Sequence, residues 1–184
     1  MAIATRIPVG ELKVANTSNV KEMKAGRPQT IMFTAEQAGV QGGLGNCQIV
    51  ELGATMEAKG KEELDHVHGV TVKALADVKP GDYVVVAPEI MVEEARLTDG
   101  HIGKFRFAED ETYTAYELSL HDRLELSAAY FAGGKAPAVG TKVGDFKVIS
   151  VRTIASGVVV QPNGQLYEAS KLEMVKIELL PAAE

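Results

Sequence analysis

A chain of 184 residues is long enough to bury a sizeable core, in one domain or in one domain with an extension. Its 19 Lys and Arg against 25 Asp and Glu leave −6, and 46% hydrophobic with 24% charged residues is the composition of a folded globular protein, which excludes wholesale disorder. Net acidity argues against non-specific nucleic-acid binding, no apolar run approaches the roughly 20 residues that cross a bilayer, and the single Cys47 excludes an intramolecular disulfide or a multi-cysteine metal site. The opening MAIATRIPVG lacks the continuous apolar segment of a secretory signal, so a soluble protein made in a reducing compartment is expected.

Residues 1–40 carry Arg6, Lys13, Lys21, Lys24 and Arg27 against Glu11, Glu22 and Glu36, a balance of +2 that leaves −8 for the remainder. A mildly basic leader on an acidic body suits docking on an acidic partner, including a neighbouring copy, although a plain solvated leader has the same charge. Pro8-Val9-Gly10, the polar Ala15-Asn16-Thr17-Ser18-Asn19 and Ala25-Gly26-Arg27-Pro28 interrupt any helical period. Extended chain with one or two short strands is expected, one of them at Thr30-Ile31-Met32-Phe33-Thr34. Stretched out, ~40 residues reach on the order of 130 Å.

From Gly39 onward the pattern is that of β structure. A glycine-rich turn over 39–46 leads into Cys47–Leu52, and Gly69–Leu75 alternates again with Val70, Val72 and Ala74 on one face. Lys79-Pro80-Gly81-Asp82 is a turn that delivers the β-branched Tyr83-Val84-Val85-Val86. Further strands are expected at Lys104–Phe107, Thr112–Leu118, Arg123–Ser127, Phe146–Val151 and Gly157–Gln161. The turn Pro162-Asn163-Gly164 then folds the chain into Gln165-Leu166-Tyr167 as a hairpin, and Lys171–Leu179 closes the series. Ala58–His66 and Pro88–Arg96 are the two places where a short helix competes with a strand. About nine short strands between Gly, Pro, Asn and Asp turns predict a mainly β fold, a small barrel or sandwich at 41–184 with an extended N-terminal arm at 1–40.

Candidate chemistry is sparse, and each instance has a structural reading beside the functional one. His66-Val67-His68 would set two imidazoles on one face of a strand, but Asp65 would point to the other, leaving His101, His121 or a carboxylate to complete a metal site. The glycines of 39–46 lack the Gly-Lys-Ser/Thr ending of a phosphate loop and read as turn residues. His121-Asp122-Arg123 resembles a general-base pair only in composition and reads as a polar turn. Glu93-Glu94 and Glu109-Asp110-Glu111 read as solvated charges. Cys47 reads as a buried, inert thiol. Phe105 and Phe107, with Lys104 and Arg106, could stack single-stranded bases, yet the acidic surroundings favour core or interface aromatics.

Several segments, in order, resemble the small β-rich capsid decoration (cement, or head-stabilising) proteins of tailed bacteriophages. They are Gly45–Gly53, Val84–Glu94 with its Pro-Glu-aliphatic-Met element, Ala115–Leu118, Asp122–Ser127, the spacer Pro137–Gly140, the Val160–Gln165 hairpin and the last Lys/Val/Ile/Glu strand, spanning residues 42–180. Where that pattern has Gly-Asp before the strand at Leu124, this chain has His121-Asp122. The resemblance implies a non-enzymatic virion protein without cofactor or metal. It would bind the major capsid protein on the outer capsid surface, stabilise contacts between capsid subunits, form a homo-oligomer, and engage neither nucleic acid nor membrane. Its place of synthesis would be the bacterial host cytoplasm.

Under that expectation the basic residues Arg6, Lys13, Lys21, Lys24 and Arg27 are the candidate capsid or inter-subunit contacts, and removing residues 2–30 should abolish capsid binding while leaving the domain folded. Two other classes fit the same sequence: a phage tail-tube or head–tail connector component, and a small β-barrel that binds a ligand or nucleic acid, for which Lys79–Val84 is the weak cue. A metal-dependent enzyme built on His66 and His68 is the remaining alternative.

Overall fold

The computed structural model describes residues 15–19, 28–40, 43–55, 66–86, 106–155, 158–160, 166–168 and 171–181. They form two β units that share a core. Strands β1 (Ala15–Asn19) and β2 (Gln29–Met32) precede a one-turn helix α1 (Ala35–Ala38). Then come β3 (Gln48–Thr55), β4 (Val67–Val72), β5 (Tyr83–Val86), β6 (Thr112–Glu117), β7 (Arg123–Ser127) and β8 (Lys142–Val143). The series ends with β9 (Phe146–Ala155), β10 (Val158–Val160), β11 (Leu166–Glu168) and β12 (Lys171–Leu179). The mainly β expectation holds. The strand expected at Lys104–Phe107 does not extend over its described part: Arg106 and Phe107 are irregular, and the Phe107 amide donates to the Leu44 carbonyl at 2.9 Å. Residues 58–65, 88–96 and 162–164, where helices and a hairpin turn are expected, lie outside the described residues.

Five strands close a barrel in the order β2-β4-β3-β5-β6. The β2–β4 pair is parallel, possible because the crossover through α1 and β3 separates them; the other pairs are antiparallel. Closure sets Ile31 opposite Tyr113, which places the segment 29–32 inside the barrel wall rather than free of it. The period-2 alternation sorts side chains as expected: Ile31, Val50, Val70, Val85, Tyr113 and Ala115 fill the barrel, with Phe33, Leu44 and Phe107 closing its core. Phe33, Phe107 and Tyr113 pack with ring centroids 4.6–6.0 Å apart, Phe107 and Tyr113 edge to face.

The other unit is an open sheet in the order β1-β7-β12-β9-β8. Its inner face packs on the outside of the barrel through Leu124, Leu126, Val148, Val175, Ile177 and Leu179, against Ile49, Val84 and Leu118. An extra residue, Ile149, interrupts the β9–β12 ladder between Ile177↔Val148 and Lys176↔Ser150. This bulge returns Val151 to the inner face opposite Val175. The expected hairpin is present: β10 pairs antiparallel with β11, Val160 opposite Leu166.

One turn recurs three times, at Lys79–Asp82, Ser119–Asp122 and Ala138–Thr141. In each, the fourth amide donates to the first carbonyl at 3.0–3.1 Å. The third residue has positive φ: 95° at Gly81, 68° at His121 and 86° at Gly140, the geometry of a type II turn. Each turn feeds a strand and is clasped by one buried residue of another segment. Leu118 accepts from the Gly81 amide and donates to the Asp82 carbonyl; Leu179 does the same for His121 and Asp122, and Val148 for Gly140 and Thr141. Where the sequence has His in place of Gly, the turn type is therefore kept.

Candidate functional site

The carboxylates of the first two turns have the same task. Asp82 Oδ2 accepts from the Lys79 amide at 2.7 Å, and Asp122 Oδ2 from the Ser119 amide at 2.8 Å. Asp82 is 6% exposed and Asp122 is fully buried. Their surroundings differ. Lys73 Nζ lies 2.9 and 3.1 Å from the two Asp82 oxygens and 3.1 Å from Glu51, and hydrogen bonding to Asp82 raises the ammonium pKa against the opposing effect of burial. In the second turn His121 and Arg123 converge on Glu178, each with a nitrogen 3.0 Å from one of its oxygens. The His121 contact is the first cause holding Glu178 below its ordinary value, burial opposes it, and Arg123 adds to it. His121-Asp122-Arg123 is thus a polar turn: the imidazole faces Glu178 while the Asp122 carboxylate is turned to the Ser119 amide.

The other candidate groups are held by local structure. His66 lies in the turn before β4, and His68 on β4 places Nδ1 3.1 Å from the Gly53 carbonyl. His101 and Asp65 lie outside the described residues, among which no group of three or more His, Cys, Asp or Glu could hold a metal ion. Cys47 is buried, and burial pushes its thiol up to about 12, far from a reactive thiolate at neutral pH. Its backbone is at φ 59°, with the amide donating to Asn46 Oδ1 at 2.8 Å, while the Tyr130 hydroxyl donates to the Asn46 carbonyl. Phe107 is a core aromatic. Beside it the Tyr113 hydroxyl donates to Glu111 and accepts from the Ala108 amide, and burial raises it to about 12. Among the described residues no helix is long and apolar enough to cross a membrane.

Among the described residues, the largest organised set of charged side chains is on the outer face of the open sheet. Cross-strand register puts Lys142 beside Lys147, Lys147 beside Glu178, and Glu178 beside Arg123 in one row. The next row holds Ser150, Lys176 and Glu125. Arg152 reaches Glu125 with Nε and, at 2.8 Å, with Nη2, spanning β12 to tie β9 to β7. The two carboxylates are thereby engaged by His121, Arg123 and Arg152, while Lys142, Lys147 and Lys176 have no carboxylate partner among the described residues.

Arg6, Lys13, Lys21, Lys24 and Arg27, the contacts expected from the sequence, lie outside the described residues. Between Lys13 and Lys21, however, β1 adds to the open sheet by antiparallel pairing with β7, Ala15 opposite Leu126 and Asn19 opposite Arg123. The sheet face itself escapes sequence reading, because its lysines come from three strands and form no local charge run. A second missed element, α1, did have a signal: Thr34-Ala35-Glu36-Gln37 is a capping box. Thr34 Oγ1 accepts from the Gln37 amide at 3.3 Å, and Gln37 Oε1 from the Thr34 amide at 3.0 Å.

Fold and surface together define a mainly β protein in which a closed barrel shares its core with an open, charged sheet. Comparison with known protein families, curated proteins and solved structures finds no match.

Proposed function

We propose that this chain is a non-enzymatic structural protein of a tailed-bacteriophage virion, which binds the outer surface of the capsid and bridges major capsid protein subunits. The observation that carries the reading is β1: a strand from within the basic leader that joins the edge of the open sheet through β7. Pairing with β7 fixes residues 15–19 of the leader, so their ordering entropy is already lost before docking. The reading also draws on the sequence resemblance over residues 42–180, and on the structural employment of Asp82, Asp122, His68 and Cys47, which leaves them tied to backbone or buried.

The test is co-sedimentation of the purified protein with heads of the cognate phage, empty and DNA-filled, followed by imaging. Regular density over the shell is the expected result; density confined to neck or tail would move the protein to the connector class, and no binding would overturn the proposal. The deletion that tests the leader stops at residue 14, because Gln29 and Thr30 belong to a barrel strand and Ala15–Asn19 to the sheet. Loss of head binding by the 2–14 deletion, with an unchanged thermal midpoint, is the expected outcome.

A further inference from the structure

Among the described residues, charge is divided between the two units. The described segments that build the barrel carry eight carboxylates against three cations, Lys73, Lys79 and Arg106. Four of those carboxylates flank or end one strand: Glu109, Asp110 and Glu111 precede β6, and Glu117 closes it. The outer face of the sheet carries the opposite sign. Lys142, Lys147, Lys176, Arg123 and Arg152 outnumber Glu125 and Glu178 there by five to two.

Because the inner face of the sheet is spent on the barrel, the basic face looks away from its own barrel and cannot be neutralised by it. The surface that complements it in sign is the acidic barrel of another molecule. We propose that the basic outer face of the sheet docks on the acidic surface around β6 of a second copy of this chain. Such a contact joins two different patches, so it is heterologous and propagates head to tail until it closes as a ring or continues as a file. Lys142, Lys147 and Lys176 supply the unpaired charge. Arg123 and Arg152 are already committed within the sheet and serve mainly to set the level of the face. Because both partner surfaces are exposed, the attraction is screened by salt. The contact does not depend on capsid binding.

Sedimentation velocity of the full chain across a concentration series, at ~10 mM and ~500 mM salt, tests the assignment. The expected result is a weight-average mass that climbs with concentration at low salt and returns to the monomer at high salt. The variant K142E/K147E/K176E and the variant E109K/E117K should each remain monomeric at low salt. An equimolar mixture of the two should associate again, since each reversed face then meets an opposite one. Thermal melts establish that both variants fold; if the triple variant does not, K142E/K147E repeats the experiment with the two exposed lysines. A wild-type monomer at every concentration in low salt, self-association undiminished in the sheet-face variant, or a mixture that stays monomeric would each overturn the proposal. Wild-type protein that stays monomeric alone but is bound by heparin in low salt would reassign the face to a polyanion.

Discussion

The turn at Lys79–Asp82 in the barrel and the turn at Ser119–Asp122 in the sheet are one device built from two sequences. Both place a carboxylate on the amide three residues back, both are clasped by a buried leucine, and both launch a strand into the shared core. They differ at the third residue, Gly81 against His121, where positive φ is easy for glycine and costs other residues about 1–2 kcal/mol. That His121 adopts the same geometry shows that the turn does not require glycine, which only lowers its cost. The third instance, Ala138–Thr141, keeps glycine and the clasp but has threonine in place of aspartate.

Removing the carboxylate is the largest way to break the correspondence. Asp122→Ala leaves the part-buried Ser119 amide without this acceptor and empties a fully buried carboxylate position, and a loss of about 2–3 kcal/mol is expected in chemical denaturation. Asp82→Ala should cost a similar amount, because it strips Lys73 of its closest partner as well as freeing the Lys79 amide. An Asp122→Ala protein as stable as the wild type would mean that the clasp from Leu179 alone sets the turn.

Exchanging the third residues gives smaller effects of opposite sign. Gly81→Ala has open space for the new methyl, so only backbone strain acts, and a loss of about 1 kcal/mol is expected. His121→Gly relieves that strain and should gain up to about 1 kcal/mol, since the exposed contact with Glu178 that it forfeits contributes little. Thr141→Asp would complete the third turn, with a gain of about 0.5–1 kcal/mol if its carboxylate accepts from the Ala138 amide. Denaturant midpoints measure all three.

The smallest effect is in acid. A carboxylate held below its ordinary value in the folded state stabilises above its unfolded pKa, and that contribution fades as pH falls through the folded value. Glu178 is such a group, with His121 as the first cause. Its titration midpoint, followed by carboxyl NMR, should therefore rise in His121→Gly, and the difference in stability between Glu178→Gln and the wild type should vanish in strong acid.

Much of the fold was legible because its rule is local. The β-branched run after the Lys79–Asp82 turn located β5 to the residue, and the alternation of 123–127, with the partial alternation of 171–179, located β7 and β12. What escaped is non-local. Strand β1 is a polar Ala-Asn-Thr-Ser-Asn sequence that becomes a strand only because β7 offers it an edge more than a hundred residues later. The division into a barrel and a sheet, and the parallel β2–β4 pair, depend on partners that no short window contains. The basic face follows the same logic: Lys142, Lys147 and Lys176 become neighbours through register alone.

The position of β12 bears on how the chain reaches its folded state. All five barrel strands lie before residue 118, so the barrel has everything it needs to close while the rest of the chain is still being synthesised. The sheet does not, because β7 and β9 are joined only through β12, the last described strand along the chain. Until β12 emerges, Ile49 and Val84 on the barrel, and Leu124 and Leu126 on β7, lack the Val175, Ile177 and Leu179 wedge that covers them. A barrel that closed before β12 was made would carry an adhesive flank, and the interval before β12 docks would be when the chain is most exposed to aggregation.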